Sequence, residues 1–146
     1  MGDWRQSVMR HLLLALLFVA PLTLAANGSW TSQSFGGTLT RGQQTLKSRP
    51  IQAPSVLPKG AVATRLAWKI TPDGPTPQSF RIQICGGNRC LPLPGLSGEL
   101  ALPAGYPAAG PYRFEYRSVV RGQLYPPLTV LTNQISLEYR TPKSLK

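Results

Sequence analysis

Apolar and polar residues alternate one by one through four separate stretches of this chain, the pattern of strands that bury one face. Val62, Thr64, Leu66, Trp68 and Ile70 share one face of the first, with Ala63, Arg65, Ala67 and Lys69 on the other. Phe80, Ile82 and Ile84 alternate with Arg81 and Gln83, and Tyr112, Phe114 and Tyr116 with Arg113, Glu115 and Arg117. Ile135, Leu137 and Tyr139 alternate with Gln134, Ser136 and Glu138. Weaker candidates lie at 29–35, 38–41, 96–102 and 128–131, and clusters such as Asp73-Gly74-Pro75, Gly110-Pro111 and Pro126-Pro127 punctuate the series. Beyond the N-terminal region no stretch sustains the 3.6-residue period of an amphipathic helix. About seven to nine short strands in one domain predict an all-β fold, an antiparallel β-sandwich.

The N-terminus carries a different signal. Arg10 and His11 precede an unbroken apolar run at 12–20 (LLLALLFVA), and Thr23-Leu24-Ala25 places small residues where a signal peptidase reads them. The run is too short for a membrane span, which needs about 20 apolar residues, and Pro21 interrupts it. Residues 1–25 are therefore expected to be a cleaved signal peptide, 26–140 the sandwich domain and 141–146 a polar tail. Met9 is an alternative start. The expected product is a periplasmic protein that is not an integral membrane protein, and losing the leader removes the only histidine, His11.

Two cysteines in an exported chain are expected to pair. In Cys85-Gly-Gly-Asn-Arg-Cys90 the alternation supports this geometrically. With Cys85 opposite Cys90 across a four-residue turn, Ile84 faces Leu91 and Ile82 faces Leu93, all toward the core. The disulfide then lies on the outer face beside Arg81 and Gln83. Pro92 and Pro94 mark the second strand as a sheet edge closed to further pairing. Four intervening residues do not make a redox motif, and zinc would need two further Cys or His ligands that the mature chain lacks. No cofactor and no metal is expected.

Charge narrows the function classes. The whole chain carries a formal net charge of +11, which favours acidic partners, but its basic residues are scattered rather than gathered into an arm. No nucleic-acid partner is expected in the export compartment. Asp73, Glu99, Glu115 and Glu138 are the mature carboxylates. Glu115 and Glu138 read as strand surface charges and Asp73 as a turn residue, so no acid pair is indicated, and a serine nucleophile would lack a histidine base. The chain is expected not to be an enzyme. Trp68 points into the core on this pattern, whereas Tyr106 and Tyr125 sit in Pro/Gly-rich segments as candidate exposed contacts.

From Trp30 through Ala67-Trp68, Gly74-Pro75-Thr76-Pro77, the Cys85-x4-Cys90 hairpin with Arg89 before its second cysteine, and the segment from Asn133 to Tyr139-Arg140, the chain resembles the flagellar protein FlhE family. Each motif is modest alone; their order and spacing carry the likeness. The resemblance implies a small periplasmic accessory protein of flagellar assembly, needed for normal motility and swarming. It would act on flagellar structural subunits or the export apparatus, as a chaperone-like or regulatory binder that prevents misassembly or proton leak. No catalytic or cofactor residue comes with the family. The alternative is a basic module adhering to peptidoglycan or lipopolysaccharide. For the contact surface, Arg81, Arg113 and Arg117 project from outer strand faces, Arg89 and Arg121 sit in turns, and Tyr125 follows. Arginine suits such surfaces because its planar fork pairs with carboxylates and stacks on aromatic rings.

Overall fold

The computed structural model describes residues 26–142. Nine strands form: β1 (Ala26–Ser34), β2 (Gly37–Arg41), β3 (Leu46–Lys47), β4 (Val62–Pro72), β5 (Phe80–Gly86), β6 (Arg89–Leu93), β7 (Ser97–Ala101), β8 (Tyr112–Ser118) and β9 (Gln123–Thr141). They make two antiparallel sheets. The first runs β1-β9-β4-β7, with β2 also paired to β9; the second runs β3-β8-β5-β6. The all-β expectation holds, and no helix occurs among the described residues. The signal peptide expected at 1–25 lies outside the described residues, as does most of the expected tail, although Thr141 ends β9.

β9 is the spine of the first sheet. Its first half pairs with β2 (Leu39 opposite Leu128) and its second with β4 (Leu66 opposite Leu137). The two separate strands expected near 128–131 and 135–139 are thus one strand of 19 residues. A register shift between Ala63 and Arg65 changes the start of β4: Ala63 is buried and Val62 is 41% exposed, the reverse of the simple alternation. An extra residue on one strand flips the facing of everything before it.

The layers meet through side chains that alternate inward as expected: Leu66, Trp68 and Ile70 from β4, Ile82 and Ile84 from β5, Tyr112, Phe114 and Tyr116 from β8, and Ile135 and Leu137 from β9. Tyr116 stacks on Phe114 and on Phe80, with ring centroids 6.1 and 5.7 Å apart. Trp68 lies over Gly98, its cross-strand partner in β7, where a Cβ would come within 2.9 Å of the indole. Its Nε1–H donates to the Gly95 carbonyl at 2.9 Å.

Candidate functional site

The cysteine hairpin fixes one end of the second sheet. Cys85 and Cys90 form a disulfide and are opposed in register, as are Ile84 with Leu91 and Ile82 with Leu93. Their Cα atoms lie 4.1 Å apart, the close spacing of a non-hydrogen-bonded cross-strand pair. The turn is tighter than the sequence indicated. Gly86 still pairs with Arg89, leaving Gly87-Asn88 as a two-residue turn, and Gly87 supplies the positive φ of 61° that a type II′ turn needs at its first central position. β6 ends its sheet and carries Pro92 opposite Gln83.

The disulfide is on the outer face, but that face is not simply solvated. Cys85 is only 1% exposed. Beside it Glu115, read from the sequence as a surface charge, has a side chain just 11% exposed. Gln83 Nε2 donates to its Oε1 at 2.8 Å and Arg113 Nε to its Oε2 at 3.0 Å, so both carboxylate oxygens are engaged. The two sulfurs and this carboxylate lie within 4.8 Å of one another. With the sulfurs bonded to each other, no thiolate is present there to ligate a metal.

Register sets the rest of the face. Arg81 stands directly opposite Arg117, Gln83 opposite Glu115 and Cys85 opposite Arg113. Lys47 on β3 flanks Glu115 from the other side. Arg81 and Arg117 are exposed, and among the described residues neither has a carboxylate within ion-pair distance. A hollow of about 280 Å³ opens between them, bounded by Thr45, Gln83, Pro92 and Glu115. A larger hollow, about 700 Å³, lies between the loops at 52–61 and 108–110. It is wide open and lined, apart from Gln52, by small, proline and aliphatic residues, with no charged group.

Three of the six candidate contact residues, Arg81, Arg113 and Arg117, are therefore brought onto one face. The others are not. Arg89 turns away, its guanidinium donating to the Ala104 carbonyl and packing on Gly105. Arg121 sits in the exposed turn before Gly122, and Tyr125, 82% exposed, donates to Gln123 Oε1 at 3.0 Å in β9 of the other sheet. Tyr106 is a correction: it is buried, at 8% exposure. Its loop is pinned by Tyr112 Oη donating to the Pro107 carbonyl at 2.7 Å and Trp30 Nε1 to the Ala108 carbonyl at 2.8 Å. Glu115 is the site residue sequence reasoning missed; Arg113 is its same-face neighbour two residues away in β8, but the bond from Gln83 becomes visible only once β5 and β8 are set side by side.

Fold and site define a small two-sheet β protein whose distinctive chemistry is a set of arginines on one sheet face. A model of the family described as Flagellar protein FlhE matches residues 36–140, and the chain belongs to that family. Flagellar protein FlhE of Escherichia coli is 36% identical over 132 residues, spanning 90% of this chain and all of the relative. The Salmonella typhimurium protein matches to the same extent, and that of Yersinia enterocolitica is 30% identical over 134 residues, 90% of this chain and 96% of its own. A solved structure titled Crystal Structure of FLHE superposes with a TM-score of 0.72 at 34% identity, covering 78% of this chain and 97% of that one.

Proposed function

We propose that this protein is an exported, periplasmic accessory factor of flagellar assembly that works by binding rather than by catalysis. In this reading it engages flagellar structural subunits or the export apparatus, keeps subunits from assembling wrongly in the periplasm or limits proton leak, and supports motility and swarming. The observation that carries the surface assignment is the grouping of Arg81, Arg113 and Arg117 on the outer face of the second sheet, with Arg81 and Arg117 directly opposed. Membership of a flagellar family and a disulfide suited to an oxidising compartment support the setting.

The test joins genetics to chemistry. Deleting the gene should leave the export machinery in place but disturb flagella or swarming. Reversing the three charges (Arg81→Glu, Arg113→Glu, Arg117→Glu) in a protein that still folds should abolish capture of the partner and reproduce the deletion phenotype. Normal flagella and swarming in the deletion strain would refute the process; unchanged capture by the triple variant would refute the face. The chain's net charge of +11 also favours adhesion to an anionic envelope polymer. Diffuse attraction of that kind is lost above about 0.15 M salt, whereas a packed protein interface persists.

A further inference from the structure

Two strand arginines are paired with carboxylates. Arg65 in β4 has Glu99 at 2.9 Å and Glu138 at 4.0 Å, and Arg113 has Glu115 at 3.0 Å. Among the strand arginines without such a partner, which include Arg41 and Arg140, the pair Arg81 and Arg117 stands apart. They are directly opposed on adjacent antiparallel strands, the arrangement in which like charges repel most. Glu115, which shares the face, has one oxygen taken by Gln83 and the other by Arg113. Two cations are thus held side by side over a hollow, with neither in an ion pair among the described residues.

The shape and charge of that hollow select what would fill it. At about 280 Å³ it has room for a carboxylate together with the side chain or chain end that carries it. Arg81 and Arg117 line it with neither guanidinium paired, while Glu115, also in the lining and held by Arg113 and Gln83, repels excess negative charge and so disfavours a doubly charged phosphate relative to one carboxylate. Pro92 forms one wall and presents no N–H, so a partner enters by a side chain or chain end rather than by adding a strand at β6. Each guanidinium offers a planar fork matched to a carboxylate.

We propose that this notch is a receptor for one carboxylate of the partner, clamped between the guanidinium groups of Arg81 and Arg117. It rests on the reading of this face as the contact surface, and gives that surface its anchor. The unpaired arginines are a liability to the free protein that the bound acid relieves.

The experiment uses the mature protein in low salt, following the arginine Nε–H signals by NMR. Three probes are titrated: an acetylated, amidated alanine peptide with one internal glutamate, an acetylated alanine peptide with a free C-terminus, and inorganic phosphate. The carboxylate probes should shift Arg81 and Arg117 saturably while Arg65 and Arg113 stay in place, and phosphate should bind more weakly. Which peptide binds better tells a side chain from a chain end. Arg117→Gln should weaken binding about tenfold or more, as loss of a charge-assisted hydrogen-bond pair does. Without any probe, Arg81→Gln and Arg117→Gln should each raise Tm in low salt, because they remove repulsion; a purely structural arginine would lower it.

Uniform shifts across all arginines, undiminished binding in Arg117→Gln, a fall in Tm for both variants, or phosphate outcompeting carboxylate would each overturn the proposal. If neither peptide binds but the triple charge reversal still abolishes capture, the face stands and the notch falls. If the notch binds and capture is untouched by charge reversal, the notch stands and the face is not the flagellar contact.

Discussion

Asn133 is fully buried, and its position shows how a polar residue is accommodated between the two sheets. Tyr116 Oη donates to Asn133 Oδ1, while Asn133 Nδ2 donates to the carbonyl and the hydroxyl of Ser34, each at 3.1 Å. The amide therefore joins β8 of one sheet to β1 and β9 of the other, with its oxygen and its NH2 both satisfied. Burial pushes the Tyr116 and Tyr112 phenols well above their ordinary value of 10. The linkage has one sign. Below pH 10 both phenols are neutral in either state and the packing contributes fully; above it the unfolded chain sheds protons that the folded chain retains, so stability falls. Unfolding midpoints in urea should be flat near about pH 8 and drop steadily between about pH 10 and pH 11. Tyr116→Phe should be less stable by about 1–3 kcal/mol at neutral pH, since it strands the Asn133 oxygen, and its alkaline decline should be shallower. An unchanged slope in that variant would show that Tyr116 does not contribute to it.

At the scale of elements, the β5–β6 hairpin shows what a sequence can and cannot disclose. Its register was legible because Cys85, Ile84 and Ile82 have matching partners at Cys90, Leu91 and Leu93, so one alignment satisfies covalent and apolar demands together. Replacing both cysteines by serine should cost about 2 kcal/mol in the chain-entropy model for so short a loop. The arginine-bearing face of the second sheet should survive, because Arg81 and Arg117 are held by the β5–β8 ladder. Chemical denaturation and partner capture on the same double variant check both halves. Other features were hidden for physical reasons. The slip at Thr64 arises from how β4 meets β9, a relation between residues some seventy positions apart. The union of two expected strands into β9 was masked because its inward set changes phase between Val130 and Asn133, where the alternation of either half gives no warning. Tyr106 looked like an exposed loop aromatic, but hydrogen bonds from Tyr112 and Trp30 fold its loop onto the core. Glu115 looked solvated because its own strand is polar on that side; its shielding comes from β5. The arginine face was legible only in part. Alternation placed Arg81, Arg113 and Arg117 outward, but strand order decided that they share a sheet and that Tyr125 lies in the other, while Arg89, in β6 of the same sheet, bonds instead to the Ala104 carbonyl and Arg121 sits in a turn.

For the whole molecule, net charge, disulfide and leader bear on one question, the compartment in which the fold is completed. A basic chain with a single cross-strand disulfide suits an oxidising space, and the family is flagellar. The apolar run at 12–20 and the Thr23-Leu24-Ala25 sequence are what the proposed export route rests on. If export by that route is correct, intact mass of protein from the periplasmic fraction should correspond to a chain starting at Ala26. Alkylation should then find neither Cys85 nor Cys90 free. A version lacking residues 1–25 should stay in the reducing cytoplasm with both thiols alkylated, be less stable by the disulfide's contribution of about 2 kcal/mol, and fail to restore swarming to a deletion strain. Rescue by that leaderless version would place the activity in the cytoplasm. Recovery of the uncut chain in membranes would make residues 1–25 an anchor. The two failures differ, because an anchored protein would still carry its disulfide and its arginine face on the periplasmic side, whereas a cytoplasmic one would meet its partner before export with the hairpin open.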